Sequence, residues 1–194
     1  MKKIDIALLI GVIAAVLFSA ASVVNKNVES ISDKVLRLHI LANSDSDEDQ
    51  ALKLKVRDAV LAESGIFLNG DYSRLEAESL VLENTDKIQS IAQRVVSENG
   101  YNYSVSVQLV NMTFDQRVYD SITLPAGDYD ALRITIGSAE GKNWWCVMYP
   151  QFCIAPSLSK EELEFFNDSE LQLMTTPKKY KFRFKLLELL QSVL

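Results

Sequence analysis

Arg37-Leu38-His39-Ile40-Leu41-Ala42-Asn43-Ser44-Asp45-Ser46-Asp47 is the stretch that decides the fold of this chain. Its first half is apolar and, with Val35 and Leu36, predicts a well-buried strand over residues 35–41. Its second half is a polar, acidic turn, and residues 46–50 offer two pairs of side chains that can cap a following helix. Strand, turn and helix cap follow one another directly, which fixes the backbone and places short polar side chains at its rim.

The hydrophobic pattern on either side of this stretch predicts an α+β fold. A first helix from about Glu48 has an apolar face, and a second, longer helix is predicted over residues 73–98. Strands are predicted over residues 103–110, 117–124 and 129–136. The economical arrangement is a mainly antiparallel sheet with two main helices packed on one face. A signal or anchor helix would precede this domain, and a basic amphipathic tail would follow it.

The N-terminus has the features of an export signal. Lys2 and Lys3 precede an apolar run over residues 6–18, and the small residues 19–22 follow. Cleavage after Ala21 would remove a signal peptide, whereas an apolar run extended to Val24 would be long enough for an uncleaved anchor. In both cases positive charge is retained inside, so the rest of the chain leaves the cytoplasm.

These boundaries divide the chain into four parts. A signal peptide or anchor over residues 1–21 is followed by a spacer over residues 22–32. A single α+β domain covers residues 33–156, and residues 157–194 form a C-terminal helix and the basic amphipathic tail.

The charge of the chain argues against nucleic acid as a partner. The formal net charge is −6 at pH 7, and phosphate binding needs a basic surface. The exception is the tail, where charged and aromatic residues alternate over residues 178–185. The tail can form an edge strand with a helix packed on the body, lie on a membrane surface, or bind a partner. Membrane contact is therefore one of the alternatives for the N-terminus and for this tail.

No catalytic or metal-binding pattern emerges from the residues. The single histidine, His39, lies inside the first strand, which favours a half-buried residue hydrogen-bonded across the sheet over a catalytic base. Asp45, Asp47 and Asp49 alternate as in a calcium loop, but the glycine and the bidentate glutamate of such loops are missing. Helix capping explains these carboxylates. One histidine and two cysteines are too few ligands for zinc, and no cofactor is expected.

Cys146 and Cys153 are the only cysteines. Because the chain is predicted to be exported, oxidising surroundings favour a disulfide between them if the chain turns at Pro150. The alternative is a pair of buried thiols in a core strand.

Trp144 and Trp145 are neighbours on a predicted strand, so their side chains should point to opposite faces of the sheet. An exposed tryptophan is a common binding anchor. The alternative is that both tryptophans only cover the edge of the sheet.

Four separate segments, in order, resemble the stage II sporulation protein R family. They are Arg37 to Asp47 quoted above, Lys55-Val56-Arg57-Asp58-Ala59-Val60, Leu124-Pro125-Ala126-Gly127-Asp128-Tyr129 and Asn143-Trp144-Trp145-Cys146-Val147-Met148-Tyr149-Pro150. The resemblance covers about residues 32–155. It implies a protein made in the forespore and exported into the space between forespore and mother cell. There it would activate a membrane-embedded aspartic peptidase of the mother cell, which cleaves the precursor of sigma factor E. The chain would be the activating ligand and not an enzyme.

The loop and the two tryptophans are the predicted partner surface. This hypothesis names Asn43, Ser44, Asp45, Ser46, Asp47, Trp144 and Trp145, because short polar turn residues and paired tryptophans exceed what the fold demands. Substituting Asn43, Asp45 or Trp144 is then expected to abolish signalling with little change in thermal stability. Two alternatives are an exported hydrolase with His39 as its base and a membrane-tethered structural protein of the developing spore.

Overall fold

A computed structural model describes residues 3–119, 122–150 and 165–175. The helices of this part are α1 (Lys3–Ser32), α2 (Asp47–Phe67), α3 (Arg74–Glu83), α4 (Thr85–Glu98) and α5 (Asp168–Thr175). The strands are β1 (Leu36–Leu41), β2 (Val105–Phe114), β3 (Arg117–Tyr119), β4 (Ile122–Leu124), β5 (Gly127–Ile136) and β6 (Asn143–Tyr149). The predicted α+β class is confirmed.

Four strands form the main sheet, in the order β2-β5-β1-β6. β1 is central and pairs with β5 in parallel and with β6 antiparallel, and β2 pairs with β5 antiparallel. The first five residues of β1 are buried, which explains why its sequence is a nearly continuous apolar run. The predicted strand over residues 117–124 is instead two short strands, β3 and β4, which pair with each other in a separate sheet.

Helices α2, α3 and α4 cover one face of the main sheet. In α2, Leu52, Val56 and Val60 are buried at helical spacing, as the sequence predicts, and α4 buries Ile88, Ala92 and Val96. These helical residues share a core with the inward side chains of β1, β2, β5 and β6.

The predicted single helix over residues 73–98 is two helices. Ser73 begins α3 with a complete capping box, and Asn84 lies between α3 and α4. The Asn84 amide donates to the carbonyl of Leu80 at 2.8 Å, and the Thr85 hydroxyl donates to that of Val81 at 3.0 Å. Such local bonds compete with the helical hydrogen-bond ladder at the point where α3 ends.

A second core lies on the opposite face of the sheet. It is built from the end of α1, the β3–β4 hairpin and α5, with Ile31, Ile122, Leu124 and Met174 among its buried residues. Residues 22–32, for which the sequence predicts a spacer, continue α1 into this core. Glu170 of α5 is fully buried and accepts hydrogen bonds from Ser30 at 2.5 Å and Lys34 at 2.7 Å.

The N-terminal part of α1 exposes its apolar side chains. Within the described residues, Ile4–Ser32 is the one helix whose length and hydropathy suffice to cross a membrane. It therefore fits both a signal sequence and an anchor. Cys153, the predicted helix start near Ser159 and the basic tail lie outside the described residues.

Candidate functional site

The loop after β1 is held by a buried carboxylate. Asp49, in the first turn of α2, is 4% exposed and accepts hydrogen bonds from the Asn43 amide at 2.9 Å and the Ser44 hydroxyl at 2.6 Å. Tyr103 is a third donor. Burial raises the pKa of Asp49, but the hydrogen bonds from Ser44, Asn43 and Tyr103 together outweigh burial and bring that pKa below its ordinary value. The carboxylate thus stays ionised and organises the loop.

The same loop fits against the connection between β5 and β6. The side-chain oxygen of Asn43 accepts from the backbone N–H of Ser138 at 3.0 Å, and Asp45 accepts from that of Lys142 at 2.6 Å. The backbone of Gly141 lies against the carbonyl of Ser44. We call residues 43–47 and 137–142 the paired loops. Hydrogen bonds and close backbone contact make them one structural unit.

Helix capping accounts for Ser46. Its hydroxyl accepts from the backbone N–H of Asp49 at 3.2 Å, so Ser46 is the N-cap of α2 and one of the two predicted capping pairs forms. Asp45, Ser46 and Asp47 are exposed, whereas Asn43 and Ser44 are partly buried. Of the predicted loop residues, Asp45 to Asp47 therefore offer the free surface, and Asn43 and Ser44 hold the fold.

Trp144 and Trp145 lie on opposite faces of β6, and both are half-buried. Trp144 lies on the helix-covered face with the guanidinium of Arg57 4.4 Å from its ring centroid. Trp145 lies on the other face, stacked on His39 with ring centroids 3.9 Å apart. Because Asn143 pairs with Leu41, β6 begins at the end of the sheet where the paired loops lie. The loop and the tryptophans are thus brought to the same end of the sheet.

His39 is a packed strand residue. It is 3% exposed, and its Nε2 is 2.9 Å from the side-chain oxygen of Asn143. Burial lowers the pKa of His39, and the nearby charge of Arg133 acts in the same direction. Its contacts in the described part of the chain include the rings of Trp145 and Phe114 and the Asn143 amide, and none of these three is a nucleophile or an acid.

The expected absence of a metal site and the expected disulfide both remain predictions from the sequence. Over residues 3–119, 122–150 and 165–175, no group of three His, Cys, Asp or Glu side chains is placed to hold a metal ion. Cys146 is buried in β6 at 4% exposure, and the bond to Cys153 stays a prediction because Cys153 is outside the described residues.

Sequence reasoning did not single out Ser138, Gly141 and Lys142, which complete the paired loops. They lie about a hundred residues along the chain from their contacts, as in the bond between Ser138 and Asn43, 95 positions apart. In the sequence, Gly141 and Lys142 after β5 indicate only a turn. The structure shows why position 141 requires glycine, because the backbone of Ser44 packs against it.

Asn43→Ala is expected to lower the free energy of unfolding by about 1–3 kcal/mol. The substitution removes the partly buried hydrogen bonds that the Asn43 side chain makes to the Asp49 carboxylate and the backbone N–H of Ser138. The matched control is Asp47→Asn on the same loop, where an exposed first-turn carboxylate contributes about 0.5 kcal/mol. Urea unfolding followed by tryptophan fluorescence measures both. Equal stability of Asn43→Ala and wild type would contradict the structural role assigned to Asn43.

Comparison with known proteins gives a consistent family. The profile of the family described as Stage II sporulation protein R matches residues 32–159. The Stage II sporulation protein R of Bacillus subtilis (strain 168) is 37% identical over 148 residues, covering 76% of this chain and 66% of that protein. The matched region is thus slightly less than two thirds of that relative's length. No solved structure matches significantly. This chain belongs to the stage II sporulation protein R family.

Proposed function

We propose that this chain is an exported signalling protein that activates a membrane-embedded aspartic peptidase, which then processes the precursor of sigma factor E. Membership of the stage II sporulation protein R family carries the proposal and supports a role in sporulation. The apolar helix at the N-terminus is compatible with export from the forespore into the space facing the mother cell. In this proposal the chain is a ligand and performs no chemistry of its own.

The partner surface is proposed to be the exposed rim formed by Asp45, Ser46 and Asp47, together with the half-buried tryptophans at the same end of the sheet. The rim is rigid because Asp45 and Ser46 are fixed by hydrogen bonds to the backbone of Lys142 and Asp49. A preorganised surface loses little conformational freedom on binding, which favours affinity. Asn43 and Ser44 contribute by holding this rim in place.

Reconstitution in a non-sporulating host tests the activity. This protein, the candidate peptidase and the sigma precursor are co-expressed, and precursor cleavage is followed with and without residues 1–21. Cleavage that requires the export segment supports a ligand acting across a membrane. His39→Ala separates the hydrolase alternative, since a ligand tolerates that change if it folds, whereas a hydrolase using His39 loses activity. Folded, exported protein that triggers no cleavage would contradict the proposal.

Asp47→Lys is expected to reduce signalling about tenfold, because a charge at a rim contact is reversed. The matched control is Asp86→Lys, since Asp86 is also an exposed acidic residue in the first turn of a helix. Both changes remove the same favourable interaction with a helix N-terminus, so their melting temperatures should fall together. Precursor cleavage at matched amounts of exported protein measures the difference. Equal signalling by the two variants would remove Asp47 from the partner surface.

A further inference from the structure

Three arginines and the one histidine gather on the sheet face opposite α2, α3 and α4. Arg37 and His39 alternate on β1, Arg133 pairs with His39 in the register of β5, and Arg117 of β3 lies with its guanidinium 5.6 Å from the ring of Trp145. Trp145 in turn stacks on His39. We call Arg37, His39, Arg117 and Arg133 the cationic face.

Three of these side chains hold a buried nitrogen without a hydrogen-bond partner in the described part of the chain. These are Nη1 of Arg37, Nδ1 of His39 and Nε of Arg133. Arg37 is 0% exposed and His39 is 3% exposed, so water does not compensate them at the surface. Buried polar groups in folded proteins are nearly always paired, so the two unpaired arginine N–H groups indicate a missing acceptor. Because Nε2 of His39 donates to the Asn143 oxygen, Nδ1 carries a lone pair in the neutral ring and becomes a further donor only when the ring is protonated.

Other contacts stabilise Arg37 without neutralising its charge. Its Nε donates to the carbonyl of Cys146 at 3.3 Å, and its Nη2 donates to the hydroxyl of Tyr119 at 2.5 Å. The rings of Phe114 and Tyr129 lie 4.1 and 5.0 Å from the guanidinium carbon. Aromatic rings attract a cation through their quadrupole, which lets the fold tolerate the buried charge.

No carboxylate of the described residues pairs with this face. In the ion pairs of the described residues, the carboxylates instead contact four other cations, Lys34, Arg57, Arg74 and Lys87. The chain as a whole carries more acids than bases, with a net charge of −6. A cluster of cations left without acids in an acidic protein is complementary to an external anion.

We propose that the cationic face binds an acidic segment of a partner protein through its carboxylates. Arg117 is exposed and Arg133 is half-buried, so their guanidinium groups are the first contacts and can donate bidentate hydrogen bonds to a carboxylate. Trp145, over which Arg117 lies, is on β6, and Arg133 is on β5. They flank the central strand β1 and are about 10 Å apart, which is two strand spacings. That span suits an extended segment with two carboxylates better than a single small anion. The site shares Trp145 with the proposed partner surface, but the observations that carry it do not rest on the proposed function.

The one histidine of the chain reports on occupancy. Because His39 is the one histidine, its imidazole resonances can be assigned without ambiguity by nuclear magnetic resonance. The sample is full-length protein in an uncharged detergent. The charged groups facing its ring are Arg133 from β5 and Arg37 from its own strand, with Arg117 over Trp145, while Asn143 and Trp145 of β6 do not titrate. A hexaglutamate peptide that neutralises these arginines should raise the titration midpoint of His39, saturably, because less positive charge opposes its protonation.

Variants identify the contacts. Arg133→Gln and Arg117→Gln should each weaken peptide binding about tenfold through loss of a charge-assisted hydrogen bond. Arg94→Gln is the control, since it removes the same charge from an exposed position on α4, which lies on the helix-covered side of the sheet. Arg117 is exposed, so its variant tests the site even if Arg133→Gln does not fold.

Three results would overturn the site. The first is a His39 midpoint that responds to the peptide no more than to sodium chloride at equal ionic strength. Arg94→Gln could weaken binding as much as Arg133→Gln, which would mean general attraction to charge. A midpoint in the free protein at or above the ordinary value of about 6.5 would mean that a carboxylate of this chain already occupies the face.

Discussion

Gly141→Ala is expected to destabilise the protein by about 3 kcal/mol, because the added methyl group meets backbone that cannot rotate away. A Cβ built on Gly141 would clash with the carbonyl oxygen of Ser44. It would also lie 2.6 Å from the carbonyl carbon of Ser44 and 2.9 Å from the Cβ of Ala42. Relief of this contact requires the paired loops to separate. Separation breaks the bonds from Gly141 N to the Ala42 carbonyl and from Lys142 N to Asp45.

The measurement for Gly141→Ala is thermal unfolding followed by tryptophan fluorescence, with an expected drop in Tm of roughly 10 °C for a chain of this size. Gly100→Ala is the matched control. Gly100 has a φ of +83° but nothing within 4 Å of an added Cβ, so it tests backbone strain without a clash. The control should lose only about 1–2 kcal/mol. A Gly141→Ala variant as stable as Gly100→Ala would mean that the loops are not tightly apposed.

The steric contact has a functional consequence under the proposed function. The exposed rim of Asp45, Ser46 and Asp47 owes its shape to Asn43, Asp49 and the second loop. Gly141→Ala should therefore reduce signalling without touching any surface residue. By the same reasoning, Asn43 cannot serve as a purely surface-directed probe of binding, whereas Asp47 can. From their hydrogen bonds we therefore expect Asn43 and Asp45 variants to lose stability, where the sequence alone predicted little change.

Local patterns in the sequence predicted those parts of the fold that local interactions determine. The buried run of β1, the Ser46 cap and the buried stripe of α2 follow from periodicity and capping chemistry alone. The break at Asn84 was missed because residues 73–98 keep a helical apolar pattern on both sides of it. Asn84 departs from helical geometry with a φ of −102° and a ψ of 8°, and hydrophobic periodicity carries no signal for such a local departure.

Long-range packing determines the parts that the sequence did not predict. The parallel pairing of β1 with β5 brings Arg133 beside His39, although 94 positions separate them. Arg37 reads as a polar interruption of an apolar strand, and only the positions of Phe114 and Tyr129 show that it is enclosed by rings. Residues 22–32 lack a turn signal, and their polar side chains concealed that Ile31 belongs to the second core.

Glu170→Ala is expected to cost about 3 kcal/mol, because it removes a buried carboxylate at the junction of α1 and α5. Glu170 is fully buried and accepts from the Ser30 hydroxyl, the Lys34 ammonium and the backbone N–H of Asn167 at 2.8 Å. The loss falls at the low end of the range for broken buried pairs, since the Lys34 side chain is 30% exposed and can be hydrated instead. Urea unfolding at neutral pH measures it. Glu78→Ala is the matched control, because that glutamate also pairs with a cation but lies on the partly exposed surface of α3.

The pH dependence of stability gives Glu170 a second signature. Burial raises the pKa of Glu170, but the bonds from Lys34, Ser30 and Asn167 outweigh it and bring the pKa below its ordinary value. A carboxylate whose pKa is lowered by folding stabilises the protein above its unfolded pKa of about 4.3. That contribution is lost as the pH falls through the folded pKa. The stability difference between wild type and Glu170→Gln should therefore stay level from neutral pH to about pH 5 and shrink as the pH falls further to about pH 3. A difference that stays constant down to about pH 3 would mean that the shape of the Glu170 side chain, and not its charge, holds α5 to α1.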